Sequence, residues 1–277
     1  MKKGGIISLS IITILVVLTG ILFGAVFCLR NQTVKAVGET AIEISKDELI
    51  NTAGIKKGKS IFMIDKEKAI KNIENKYPYI KVIQIKTTNL TSIEICVRAR
   101  HDMFYTLENE NYYIFDEDLK ILNIIGHDEA KPTNLIKIET GSLKISSTAK
   151  LCDFVGTKEQ KSSIYNLFVA MNTVVTKQDG ESELYLTRED IKSVLTNVEF
   201  KSFDTFNKLI ISTGYGVVLD IENPENNLQN KINICFSTIK QFIQEENNKE
   251  KSGTIKIYYD LNNAMQCIYI PAAEQGV

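Results

Sequence analysis

Ser45–Asp65, SKDELINTAGIKKGKSIFMID, and Tyr77–Arg100, YPYIKVIQIKTTNLTSIEICVRAR, together decide the fold. Ser45 followed three residues later by Glu48 is a capping-box pattern, in which serine oxygen and glutamate satisfy early helix donors. The spacing predicts a short helix through Leu49, Ile50 and Ala53, ended by Gly54. Lys57-Gly58-Lys59-Ser60 reads as a turn into Ile61–Ile64. Asp65 starts a second helix, with Ala69, Ile70 and Ile73 on one face. Tyr77-Pro78 stops it, because the residue before proline is pushed out of the helical region. The period then falls to two: Val82, Ile83 and Ile85 form one strand, and Ile93, Ile95 and Val97 the next. Upstream, Arg30–Lys35 reads as a short polar stretch, and Val37-Gly38 with Ala41–Ile44 as a broken first strand. Strand, helix, helix, strand, strand is a small α+β unit.

Ahead of this unit, Ile6–Leu29 carries no charge. As a helix it reaches about 36 Å, enough for a hydrocarbon core of ~30 Å. The run is longer than the apolar region of a signal peptide and lacks an Ala-x-Ala exit. Bulky Phe27 before Cys28 argues against a lipoprotein. A transmembrane helix is therefore expected over 6–29, behind a cytoplasmic tail of 1–5. Lys2 and Lys3 favour an inside amino terminus, but Arg30 and Lys35 nearly balance them.

The 277 residues carry a net charge of −1, with 44% hydrophobic and 24% charged residues, so a folded chain is expected and no basic field favours nucleic acid. Further strands are read at Met103–Leu107, Tyr112–Phe115, Ile121–Ile125, Leu135–Ile138, Val194–Phe203, Leu209–Thr213, Val217–Ile221, Thr254–Tyr259 and Met265–Ile270. Two longer helices are expected: one over Lys158–Val175, with Ile164, Leu167, Phe168 and Met171 at helical spacing, and one through Leu228, Ile232, Cys235, Ile239 and Phe242.

Little here resembles a catalytic centre. His101 and His127 are the whole imidazole supply and lie near no metal-ligand spacing. Neither Gly-x-Ser-x-Gly nor Thr-Leu-x-Thr-Cys occurs, and the Thr213–Gly216 glycines read as a hairpin turn. Catalytic, cofactor-binding and metal sites are all expected to be absent. Glu108, Glu110, Asp116, Glu117 and Asp118 cluster, which is read as a solvated hairpin ahead of a docking patch for a basic partner. Cys96, Cys152, Cys235 and Cys267 allow three complete pairings; buried thiols are favoured over a disulfide because Cys96 and Cys235 fall at apolar pattern positions.

In their order after one anchor, several pieces resemble the FtsQ/DivIB family of bacterial cell-division proteins. Lys57–Asp65 resembles the family's "G-x-N-I-F-x-x-D", Tyr77–Val82 its "P-Y-V-x-x-A", Ile93–Arg100 its "I-x-V-x-E-R" and Phe115–Leu122 its "I-D-x-x-G-x-V-L" hairpin. Gly216–Leu219, Lys231–Ile239 and Thr254–Leu261 resemble its closing hairpin, helix and strands. The chain departs from the family at Asn89, Ala99 and Asp118. The resemblance implies a single transmembrane helix, a POTRA-like domain over 36–100, a mixed β-rich domain with two longer helices over 101–271, and a short tail of 272–277. It also implies a non-enzymatic extracytoplasmic scaffold at the division septum. Such a scaffold binds partners of the FtsL and FtsB/DivIC type and links them to septal peptidoglycan synthases. A POTRA-bearing translocation chaperone and an anchored cell-wall enzyme are the alternatives.

By the family's pattern, Met265–Ile270 closes the chain at a sheet edge, and no charge falls between Leu261 and Ala273. An unpaired edge is a hazard unless it is short, charged or used, and the alternative to use here is that a short tail folds over it. The expected partner-binding residues are Tyr258, Met265, Gln266, Ile268, Tyr269 and Ile270, with Gln266, Ile268 and Ile270 on one face. Ile268→Pro is the expected way to remove an edge donor while leaving the domain folded.

Overall fold

The computed structural model describes residues 12–21, 26–38, 42–173, 188–203, 206–244, 252–260, 262 and 264–272. Contacts divide the chain into two units, 1–100 and 101–277.

Residues 12–21 are helical (α1), and their large apolar side chains are exposed on every side, from Leu18 at 53% to Val16 at 65%. Among the described residues no helix is long and apolar enough to cross a membrane; residues 6–11 and 22–25 of the expected span lie outside them. The far end of that span needs correction. Leu29 is 1% exposed in the core of the first unit, and Cys28 pairs with Ser60.

The first unit is built from β1 (Asn31–Ala36), α2 (Lys46–Ala53), α3 (Lys66–Lys76), β2 (Ile80–Asn89) and β3 (Ser92–Ala99). Its sheet runs β1-β3-β2, with β1 parallel and β2 antiparallel to β3. Ser45 Oγ accepts from Glu48 N–H, Asp65 Oδ1 accepts from Lys68 N–H, and Gly54 ends α2 at φ +68°. These are the caps the sequence announces. Leu49, Ala53, Ala69 and Ile73 from the helices meet Ile93, Ile95 and Val97 from β3 in one apolar cluster.

The first strand is displaced from its expected place. It occupies the polar stretch Asn31–Ala36, where only Val34 is buried, while Ile42 and Ile44 pack against the core outside any strand. An edge strand with one buried side chain shows no apolar alternation to read. It also begins ahead of the expected domain start at 36. In β2 a bulge between Val82 and Gln84 turns Ile83 outward, so Val82 and Ile85, not Ile83, reach the core.

The second unit holds β4 (Phe104–Glu108), β5 (Asn111–Phe115), β6 (Ile121–Gly126), β7 (Ile136–Ile138), α4 (Lys158–Thr173), α5 (Arg188–Val194), β8 (Leu195–Ser202), β9 (Asn207–Thr213), β10 (Val217–Glu222), α6 (Leu228–Gln244), β11 (Gly253–Tyr259) and β12 (Met265–Pro271). The nine strands among the described residues form one mixed sheet, ordered β12-β11-β10-β9-β8-β7-β4-β5-β6. α4 and α6 pack on one face, where Ile164, Leu167, Met171, Ile232, Cys235 and Ile239 meet Val198, Leu209, Ile211, Leu219, Ile255 and Ile257. α6 is the crossover between the parallel pair β10 and β11. α5 was not expected; it lies ahead of the strand read from Val194 and shares only that residue with it.

Candidate partner-binding edge

β12 is terminal in the sheet, hydrogen-bonded to β11 alone among the described strands. Asp260 holds the turn between them. Its Oδ1 accepts from the N–H groups of Asn262 and Ala264, both at 2.9 Å, and its Oδ2 from Gln266 Nε2 at 2.9 Å. The Ala264 N–H, against an opposing effect of desolvation and helped by the Gln266 amide and the Asn262 N–H, holds the Asp260 carboxyl below the usual carboxylate range. A depressed folded-state pKa means the turn's stabilisation is present above the unfolded value of about 3.9 and lost as pH falls through the folded one. The amide resonances of Asn262 and Ala264 should titrate with a midpoint below the ordinary value. Asp260→Ala should speed hydrogen exchange in β12 while leaving β8 and β9 unchanged; equal exchange in β12 would remove Asp260 from this role.

Two bonds at the ends of the hairpin fix its polarity. Asp260 N–H donates to Ala264 O, and Ala272 N–H donates to Ser252 O, both at 3.0 Å. The register between them has no shift. In an antiparallel pair, hydrogen-bonded and non-hydrogen-bonded positions alternate. Gln266, Ile268 and Ile270 therefore bond to β11, while Met265 and Cys267 turn their N–H and C=O away from it. Pro271 has no N–H to offer and closes the run.

The side chains divide the same way. Met265 and Tyr269 pack against the main core, and Cys267 Sγ lies 3.9 Å from Thr238 Oγ1 of α6. Gln266, Ile268 (44% exposed) and Ile270 lie on the other face, opposite Tyr258, Lys256 and Thr254 of β11. That face continues into charge. Lys208 Nζ is 3.0 Å from Asp220 and 3.6 Å from Glu222, and Lys256 Nζ is 3.6 Å from Glu222. Lys256 Nζ also lies 5.2 Å above the Tyr258 ring. All six expected residues therefore lie on one hairpin, four of them on the open face and Met265 and Tyr269 on the helix side.

Two features beside the edge escaped sequence reading. Gly253 lies under β12, where an added Cβ would stand 2.7 Å from both Ile270 O and the Tyr269 ring. An aromatic laid over a strand glycine in this way covers exposed backbone. Lys231, at 0% exposure on α6, donates to Glu222 O at 2.7 Å and Asn223 O at 2.9 Å, with its Nζ 4.9 Å from the Tyr259 ring. Burial pushes its ammonium below the ordinary lysine range. The one cue in the sequence was a lysine on the apolar face of a helix.

Elsewhere the candidate chemistry dissolves into structure. Asp116 is wholly buried, its Oδ1 accepting from the N–H groups of Asp118 and Lys120, so it braces the β5–β6 turn and offers no acidic surface. His127 stacks on Tyr112 with ring centroids 5.8 Å apart. All five cysteines are free, and burial pushes the Cys235 thiol far up, which leaves it unreactive. Among the described residues no three or more His, Cys, Asp or Glu side chains come together as a metal site.

A βααββ unit with β1 parallel to β3, followed by a domain built on one nine-stranded sheet, defines a POTRA-bearing two-unit protein. Residues 33–98 match the POTRA domain of FtsQ type. The chain is 29% identical over 175 residues to the cell division protein DivIB of Clostridium acetobutylicum, covering 60% of this chain and 66% of that one. Against the DivIB proteins of Clostridium botulinum strains Hall and Loch Maree it is 24% and 25% identical over 224 residues, covering 80% of this chain and 76% of theirs. The chain is therefore similar to the DivIB cell-division proteins, and its first unit carries the FtsQ-type POTRA domain.

Proposed function

We propose that the chain is a bitopic scaffold of the bacterial divisome, anchored by its uncharged amino-terminal run and working outside the membrane. The anchor in this reading ends before Leu29, which belongs to the folded core. The scaffold binds division proteins of the FtsL and FtsB/DivIC type and links them to septal peptidoglycan synthases, by binding energy and with no covalent chemistry. The observation that carries the reading is the β12 edge, whose Met265 and Cys267 backbone groups point away from β11 beside an uncharged stretch. A partner segment adds there as a further strand, its backbone hydrogen bonds giving affinity and alternate side chains giving selectivity.

Two measurements test it together. Full-length chain in detergent should co-purify the FtsL and FtsB/DivIC-type proteins of its own cell, and a fluorescent fusion should gather at midcell before constriction. A fusion spread evenly around the envelope, with no division protein retained, would overturn the scaffold.

A further inference from the structure

A second feature stands where the chain leaves its apolar run. Residues 27–29 pair with residues 58–61: Ile61 N–H donates to Phe27 O, Leu29 N–H to Lys59 O and Gly58 N–H to Leu29 O, each at 2.9 Å. Leu29 and Ile61 are buried in the unit's core, so this small ladder is fixed to the domain. At its tip, Phe62 and Met63 are 67% and 80% exposed, and the Phe27 and Phe62 rings lie 5.1 Å apart. Arg30, Lys56, Lys57 and Lys59 flank them, all exposed.

Chain length places this tip. Five residues, 22–26, lie between Ile21, the last residue of α1 described before them, and Phe27, and the six Cα steps reach roughly 20 Å even when fully extended. No charge falls between Lys3 and Arg30. A helix apolar on all sides needs an apolar surround, so α1 belongs in lipid, and the first cation after it marks the headgroup level. Exposed Phe and Met beside lysine and arginine is the chemistry of an interfacial contact, in which apolar tips enter the acyl boundary and cations reach lipid phosphates.

We infer that the Phe62–Met63 turn is a second membrane contact, which seats the POTRA unit on the bilayer face from which it emerges, with Arg30, Lys56, Lys57 and Lys59 on anionic phospholipid phosphates. This rests on the anchor of the proposed function.

The chain contains no tryptophan, so single substitutions report their surroundings by fluorescence. Full-length Val16→Trp, Phe62→Trp and Tyr215→Trp are reconstituted into phosphatidylcholine–phosphatidylglycerol vesicles carrying lipids spin-labelled at chosen depths. Val16→Trp should lose most of its emission to labels deep in the acyl chains. Phe62→Trp should emit to the blue and be quenched by labels near the headgroup; Tyr215→Trp should remain red and unquenched. In vesicles of phosphatidylcholine alone, or with Lys56, Lys57 and Lys59 all changed to Gln, the quenching of Phe62→Trp should fall severalfold. If Val16→Trp escapes deep quenching, the anchor falls. If Val16→Trp is quenched while Phe62→Trp stays red, the anchor stands and the second contact is overturned. Shielding of Phe62→Trp only after a division protein is added also overturns it, since the turn would then be a protein surface. Quenching indifferent to anionic lipid overturns the phosphate contact.

Discussion

Arg100→Ala unfolds the amino-terminal unit and leaves the second unit standing. Arg100 is 4% exposed, and its Nη2 lies 3.1 Å from Glu74 Oε2 of α3. Its Nε donates to Ile80 O at 3.3 Å and its backbone N–H to Tyr79 O at 2.8 Å. Glu74 Oε1 in turn accepts from Val82 N–H at 2.8 Å. One buried ion pair thus ties the end of β3 to α3 and to the start of β2. Removing one partner of such a pair costs about 3–5 kcal/mol, because the other charge stays buried. A domain of this size has a total stability near the low end of about 5–15 kcal/mol. Hydrogen exchange on the full chain should show protection lost in β1–β3 and kept in β8–β11. Arg100→Lys should recover only part, since an ammonium cannot reproduce the guanidinium fork. Arg100→Met combined with Glu74→Leu should recover more, because an apolar pair leaves no stranded charge. Full protection in Arg100→Ala would show that the pair contributes little.

Cys267→Pro should weaken partner binding while the second unit keeps its fold. The Cys267 N–H points away from β11, and proline is tolerated on edge strands where the missing N–H faces outward. Affinity should fall at least about tenfold, or ~1.4 kcal/mol, the scale of one net backbone hydrogen bond. Sequence reasoning selected Ile268→Pro for this purpose, and the polarity of the hairpin changes the choice. Ile268 bonds to β11, so proline there breaks the internal ladder and frees β12 from the sheet. Both variants should bind poorly, but only Ile268→Pro should also lose exchange protection in β11. Gly253→Ala reaches the same end from beneath, because its Cβ would meet Ile270 O and the Tyr269 ring at 2.7 Å and lift β12. Unchanged affinity in a folded Cys267→Pro variant would move the partner site elsewhere.

How much of this was legible depended on how many sides of an element are buried. β3, α3, α4 and α6 each carry an apolar stripe against a core, so Ile93, Ile95, Ile73, Ile164 and Ile232 disclosed their faces by period alone. β1 pairs on one side and buries only Val34, and its polar residues read as a linker. α5 is short and shows no long apolar period, although Thr187 followed by Glu189 and Asp190 is a helix-start pattern. The buried polar groups were the least visible. Glu74, Arg100, Asp116 and Lys231 look like surface residues in sequence, but the Glu74–Arg100 pair, the turn N–H groups at Asp116 and the Glu222 and Asn223 carbonyls at Lys231 hold them buried. For the candidate site, period two separated the two faces of β12 correctly, but which backbone groups point outward depends on the hairpin's hydrogen-bond phase, and that phase is set by Asp260 and the turn.

Amide hydrogen exchange along β12, with and without the FtsB/DivIC-type partner, tests strand capture most directly. Free full-length chain should show slow exchange at Gln266 and Ile268, which bond to β11, and fast exchange at Met265 and Cys267, which face outward. Bound partner should slow Met265 and Cys267 strongly and change Gln266 and Ile268 little. Tight binding with Met265 and Cys267 still exchanging as in the free chain would contradict strand addition at this edge.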